Sequence, residues 1–309
     1  MDTLPKYSDP EVLARIAGLG LRARRVVEGT ISGLHKSPFH GFSVEFAEYR
    51  EYSPGDDLRR LDWRVFGRTD RHFVKQFEQE SNLRAMLVMD CSASMRYRGQ
   101  KAALSKFDYA ATLAASFATL LIGQQDPVGL ALFDKQERQL LPAAATTSQL
   151  AQMIAMLEAA QPDRETELGG VLQTLAGQIK SRGLVVIISD LLTDLDLFYD
   201  GLSRLQYRGH EVLVFHILDR DELELPFNDL VQFHDIEGHE ELFAEPWAFR
   251  QAYRAAMDEF VRGVQQTCGS RSIDYLLMLT DQDLGAALSH YLHARARWRH
   301  GSTMADRRG

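Results

Sequence analysis

From residue 84 onward, short apolar runs recur along the chain, at 85–89, 128–133, 184–189 and 212–218. Runs of that length, broken internally by a polar residue only at His216, predict strands buried on both faces, the habit of a parallel sheet. Segments with apolar residues at helical spacing lie between them, at 105–122, 148–158, 168–180 and 197–207. A short edge strand is expected at 138–141. Strand and helix alternate through short connections. This predicts an α/β fold, a doubly wound, mostly parallel sheet of Rossmann-like type with helices on both faces.

The flanks read differently. Residues 11–29 predict an amphipathic helix, with Val12, Ile16, Leu19 and Val26 apolar and Arg22, Arg24 and Arg25 polar. Aromatic and charged residues alternate over 42–52 and predict a strand. Ser53-Pro54-Gly55-Asp56-Asp57 is a turn, after which Asp56 or Asp57 caps a short helix at 58–66. Residues 1–80 therefore form a small N-terminal helix and β-rich lobe, and 81–300 the sheet domain with a C-terminal extension. That extension holds β-like segments at 230–236 and 242–243, then a helix at 246–266 with proline in its first turn. A strand at 273–279 and a helix at 281–297 follow. The polar end, 301–309, is expected to fray.

Composition narrows the function. The chain has 309 residues, 45% hydrophobic and 25% charged, which argues against long disorder. A chain of ~300 residues buries about three quarters of its unfolded surface, so it folds without metal or disulfide staples. Cys91 and Cys268 stand far apart and in no ligand pattern, which suits a reducing cytoplasm. The net charge of −8 disfavours nucleic acid and anionic membranes as partners. The N-terminus has no signal-like apolar core, and the apolar stretch 109–123 is too short to span a ~30 Å hydrocarbon layer. A cytoplasmic protein without direct membrane insertion is expected.

Chemistry gathers at strand ends. Asp90-Cys91-Ser92-Ala93-Ser94 follows the first sheet strand, where ligands of doubly wound folds bind. Glu165-Thr166-Glu167 precedes a helix, and Ser189-Asp190 closes another buried run. Asp90, Ser92, Ser94, Thr166 and Asp190 offer two carboxylates and three hydroxyls. Hard oxygen donors of this kind suit Mg²⁺ or Mn²⁺. Ser, Thr and Asp also cap helices where strands hand over to them, so a metal-free reading of each piece stays open.

Asp90-x-Ser92-x-Ser94, then Thr166, then Asp190, resembles the metal-ion-dependent adhesion site of von Willebrand factor A domains. The resemblance implies that Ser92, Ser94 and, in some states, Thr166 ligate the metal directly. Asp90 and Asp190 act largely through water, and an open position accepts an acidic residue of a bound protein. One departure stands out: Leu191-Leu192 follows Asp190, where many members carry Asp-Gly. Upstream, Arg50-x-Tyr52, Gly55-Asp56-Asp57, Arg59, Asp62-Trp63, Gly67-Arg68 and Phe77-Glu78-x-Glu80 resemble the bacterial domain-of-unknown-function family number fifty-eight. Genes of that family commonly accompany MoxR-type AAA+ ATPases. This implies such an ATPase, or its client, as partner and an adaptor or chaperone-like role.

Asp56, Asp57, Arg59, Asp62, Trp63 and Arg68 are either structural, as turn, cap and packing anchor, or a partner surface. Three functional readings follow. The first is a non-enzymatic, Mg²⁺-dependent protein-interaction module. The second is a metal-free scaffold of the same fold. The third is a Mg²⁺-dependent phosphohydrolase, disfavoured because Ser92 stands where a second strand-end acid belongs and no Walker A or G-x-S-x-G motif occurs.

Overall fold

A computed structural model describes residues 19–28, 44–51, 73–79, 83–163, 166–234, 241–285 and 288–289. The expected helix at 58–66, the Asp56–Arg68 cluster and the tail at 301–309 lie outside these residues. So do most of the expected helix at 281–297 and the start of the one at 11–29. The chain divides into two compact units: Met1–Pro38 with Arg84–Gly309, and Phe39–Leu83.

In the smaller unit, strands β1 (Val44–Glu51) and β2 (Phe73–Gln79) pair antiparallel, with Val44 opposite Gln79 and Glu51 opposite Phe73. The register shifts between Phe46 and Glu48, which matches the uneven alternation of the sequence there. No strand is predicted at β2, because its apolar positions 73, 74 and 77 do not alternate with polar ones.

The larger unit is the expected α/β sheet. Its six strands are β3 (Ala85–Asp90), β4 (Val128–Phe133), β5 (Glu137–Ala144), β6 (Leu184–Ser189), β7 (Glu211–Leu218) and β10 (Asp274–Leu279). They lie in the order β10-β7-β6-β3-β4-β5. All neighbours are parallel except β4 and β5. Every residue of β3, β4 and β6 is buried, the reason these strands read as unbroken apolar runs. The edge strand β5 is longer than its sequence suggests and only half-buried. Its neighbours pack so closely at Gly129 that a Cβ there would lie 2.7 Å from the Leu141 carbonyl.

The chain leaves β3 for β4 on one side and later returns to β6 on the other. Asp90 therefore ends the strand at which the winding reverses, the position where such sheets open a ligand crevice.

Helix α1 (residues 19–28) belongs to this unit: Leu19, Ala23 and Val27 are buried, and Arg22 Nε donates to Thr112 Oγ1. The crossover helices are α2 (Lys106–Gly123), α3 (Thr147–Ala159), α4 (Leu168–Gln178) and α5 (Leu195–Tyr207). Helix α2 is buried along most of its length, and Thr112 and Ser116 satisfy their hydroxyls on backbone carbonyls one turn back. Helices α4 and α5 cross at Gly169 and Gly201. A Cβ on Gly169 would stand 2.6 Å from the Leu197 backbone, and one on Gly201 would stand 2.7 Å from Leu172 Cβ. This close crossing fixes α4, and with it Thr166 just ahead.

A short helix α6 (Arg220–Glu224), absent from the sequence expectation, follows β7 and is closed by an Asp219/Glu222 capping box. The hairpin β8 (Val231–His234) and β9 (Glu241–Ala244) and the helix α7 (Pro246–Ser270) complete the extension. Tyr253, Arg250 and Arg254 of α7 donate to the carbonyls of Glu222, Leu225 and Glu224, so α7 is fastened to α6. Among the described residues no helix is long and apolar enough to cross a membrane.

Candidate metal centre

The structure brings Asp90, Ser92, Ser94, Thr166 and Asp190 into one hydrogen-bonded open ring that runs from Thr166 through Asp90, Ser92 and Ser94 to Asp190. Asp90 ends β3. Its Oδ1 accepts from the Ser92 backbone N–H at 2.8 Å and from Thr166 Oγ1 at 3.0 Å. Ser92 and Ser94 hydroxyls are 3.0 Å apart, and Ser94 Oγ donates to Asp190 Oδ2 at 2.7 Å. The Ser94 proton is thus engaged, so in the serine pair Ser92 is the donor.

Local folding sets these positions. A single 3₁₀ turn at Ala93–Arg96 curls the loop back under β3, and Cys91 N donates to the Phe133 carbonyl. The Thr166 loop is tied to the end of β4 by Glu167 N donating to the Asp134 carbonyl at 3.1 Å. Asp134 itself is buried and grips the next turn through Gln136 N and Arg138 Nε.

The Leu191-Leu192 departure leaves the Asp190 carboxylate in place beside Ser94. Leu191 adopts φ +56°, the left-handed conformation that glycine takes freely. Its side chain is fully buried in the sheet core. The turn is held by Leu191 N on Ser189 Oγ and by Leu192 N on Asp190 Oδ1. A left-handed leucine costs about 1–2 kcal/mol, here offset by burial. Leu191→Ala is expected to cost about 2–5 kcal/mol. Leu191→Gly, though one carbon smaller, is expected to be at least as stable as Leu191→Ala, reversing the usual order. Chemical denaturation of the two variants checks this; glycine coming out weaker by about 1 kcal/mol would show an unstrained turn.

Four groups outside the predicted set of five support the ring. Ser189 Oγ donates to Asp90 Oδ2 at 2.6 Å. Lys106, the first residue of α2, is completely buried and places Nζ 2.8 Å from Asp190 Oδ2 and 2.5 Å from Glu222 Oε1. Glu222 comes from α6. His216 Nε2, on β7, donates to the Asp190 carbonyl at 2.8 Å, and Nδ1 meets Tyr275 Oη at 2.7 Å. Burial pushes the His216 pKa down to about 4, so the ring is neutral at physiological pH and Nδ1 accepts from the tyrosine.

The two carboxylates differ. Burial and the charge of Asp190 hold Asp90 up to a pKa of about 6, against the pull of the Ser189 and Ser92 hydrogen bonds. Burial acts on Asp190 in the same sense, but the Lys106 charge overrides it and holds Asp190 below the usual carboxylate range. Cys91 is buried, and burial together with the Asp90 charge pushes its thiol up to about 12. It is a packed residue and no nucleophile at neutral pH.

This donor set fits a hard divalent cation. The Ser94 and Thr166 protons are engaged by the carboxylates, which leaves hydroxyl lone pairs for a metal and casts Asp90 and Asp190 as acceptors behind them. A cation would also offset the cost of charging Asp90 in a dry site.

A family profile described as "Protein of unknown function DUF58" matches residues 48–262. The uncharacterized protein Rv1480 of Mycobacterium tuberculosis is 29% identical over 293 residues, covering 94% of this chain and 91% of the relative. Among solved structures, the conserved hypothetical protein BatB from Bacteroides thetaiotaomicron aligns at a TM-score of 0.47 and 15% identity. That alignment covers 70% of this chain and 99% of BatB. The vWF domain of the type V pili tip protein Mfa5 from Porphyromonas gingivalis aligns at 0.28 and 18% identity. It covers 33% of this chain and 36% of that one.

Proposed function

Because the chain belongs to the DUF58 family and its six-strand, mostly parallel sheet has the layout expected of a von Willebrand factor A-like domain, we propose that it is a Mg²⁺- or Mn²⁺-dependent protein-interaction module and not an enzyme. The observation that carries this reading is the direction of the hydroxyl protons. Ser94 and Thr166 give theirs to Asp190 and Asp90, so their oxygens are oriented as ligands.

Ser92, Ser94 and Thr166 would hold the ion directly, and Asp90 and Asp190 would act behind them. A bound Mg²⁺ supplies a Lewis-acidic position that an acidic side chain of a partner can fill. The rest is done by the chain: the ring fixes the oxygens, and burial of Asp90 and Asp190 keeps bulk water from screening them. Both Asp90 oxygens accept hydrogen bonds, which disfavours Asp90 as a nucleophile and so supports a binding role. The partner we propose, on the family resemblance, is a MoxR-type AAA+ ATPase or its client. The compartment we propose is a reducing cytoplasm, consistent with the free, buried Cys91 and Cys268.

The test is capture of a purified MoxR-type ATPase by the full chain. Binding is expected with Mg²⁺ and is expected to disappear with chelator and in Ser92→Ala/Ser94→Ala. Capture that ignores chelator would favour the metal-free scaffold. In parallel, Mg²⁺ at a hundredfold excess over Kd should stabilise the wild type by about 2.7 kcal/mol, with no gain in the double serine variant.

A further inference from the structure

Lys106 stands apart from the oxygen ring. It is a fully buried cation inside a site that, on the reading above, exists to bind a cation. Its ammonium and the Ser94 hydroxyl share a single acceptor, Asp190 Oδ2, at 2.8 and 2.7 Å. The carboxylate oxygen that orients Ser94, one of the residues that would hold the metal, is thus the one that the ammonium neutralises. On its far side Lys106 is held by Glu222 Oε1. Glu222 is itself fixed, because its other oxygen caps Asp219 N at 2.7 Å. The lysine cannot swing away without leaving one carboxylate unpaired.

We infer that Lys106 is a positioning residue that sets the charge of the metal site. It holds Asp190 oriented and neutralises it, so that a divalent ion binds with modest affinity and keeps residual positive charge for an incoming carboxylate. This rests on the metal-dependent reading above and names what tunes it. Removing Lys106 and the charge of Glu222 together leaves the net charge of the cluster unchanged. It changes only where the negative charge sits: Asp190 then presents its full charge next to the metal, and the more distant Glu222 presents none. Coulomb attraction falls with distance, so the metal should gain from the exchange.

The test compares wild type, Lys106→Met/Glu222→Gln and Asp90→Ala, each as the whole 309-residue chain, by calorimetric titration with Mg²⁺. The Glu222→Gln change keeps the cap of α6, because the amide carbonyl still accepts from the Asp219 N–H. Folding is verified by circular dichroism. Each titration is repeated with sodium acetate as a carboxylate probe and with sodium chloride at equal ionic strength.

The double variant is expected to bind Mg²⁺ about tenfold or more tightly than wild type. Acetate is expected to tighten Mg²⁺ binding in wild type and to do little in the variant. A lysine that merely supports the fold would not produce a gain in affinity when removed. Wild-type binding with equal or weaker binding by the folded double variant would overturn the inference and leave the metal-dependent reading standing. So would acetate enhancement of equal size in both proteins. No saturable Mg²⁺ signal in either protein would overturn both. Binding that survives Asp90→Ala would place the ion elsewhere and also overturn both.

Discussion

Replacing Lys106 by methionine alone is expected to cost about 3–5 kcal/mol of folding stability. The side chains of Lys106 and Asp190 are 0% exposed and that of Glu222 is 19% exposed, so solvent does little to screen the triad. Burial by itself would depress the lysine pKa. The two carboxylates reverse this and hold it above its ordinary value. Without the ammonium, Asp190 keeps only the Ser94 hydroxyl and the Leu192 N–H, and Glu222 keeps its cap. Two buried carboxylates would then face each other with no cation between them. Most of the loss is therefore the stranding of the anions and not the worth of the bridge. Two consequences follow. Adding Glu222→Gln should recover part of the loss, and adding Asp190→Asn as well should recover most of it. Urea denaturation of the series with chelator present measures this. A single variant within about 0.5 kcal/mol of wild type would mean that the triad is solvated in solution.

Why the sequence conceals Lys106 is instructive. A lysine at the start of a helix ordinarily reads as solvated, and nothing local distinguishes this one. Its partners lie 84 and 116 positions away. One of them sits on α6, a helix too short to leave a periodic signal. His216 is hidden for a related reason: within the run 212–218 it looks like one polar break in a buried strand, and only the register of β7 beside β6 brings it to the Asp190 carbonyl. The ring itself was legible because each member stands at a strand end or just before a helix, and strand ends of a parallel sheet converge on one edge. The weakest signal was Asp190 followed by two leucines. There the backbone keeps the left-handed turn, and a buried leucine adopts it.

The fold was readable where burial alone decides the pattern. Strands β3, β4 and β6 carry no polar residue before their last position, Asp90 in β3 and Ser189 in β6, because both faces are covered, and the expected bounds differ from the observed ones by at most one residue. Legibility fades where a strand has one open face or no regular alternation, as in β5 and β2. Helix α7 runs four residues past its expected end, to Ser270. The expected helix already passes through Gly263, and a Cβ at Gly263 or at Gly269 would meet nothing within 4 Å. Their cost there is conformational and does not end the helix.

In metal-free protein, Asp90→Asn is expected to raise stability at pH 7.5 by about 2–3 kcal/mol and to leave it nearly unchanged near pH 4. The Asp90 pKa is raised from 3.8 to about 6, by burial first and by the Asp190 charge second. Between those two values the folded state holds a proton that the unfolded chain has released. Its contribution is full below pH 4 and is lost as pH rises through 6, since stability falls with pH wherever the native state binds the extra proton. About two pKa units correspond to roughly 3 kcal/mol, less what a misplaced amide N–H₂ costs among the Ser92, Thr166 and Ser189 donors. Asparagine cannot ionise, so the difference between the two proteins should open between pH 4 and 6 and then level off. Denaturation at a series of pH values in chelator measures it, and parallel profiles for the two proteins would sink the account. Saturating Mg²⁺ should close or reverse the gap, because the ion stabilises the wild type and the variant lacks the charge to hold it. A site that keeps an unstable charge in the absence of its ligand stores, as lost stability, part of what the ligand returns on binding.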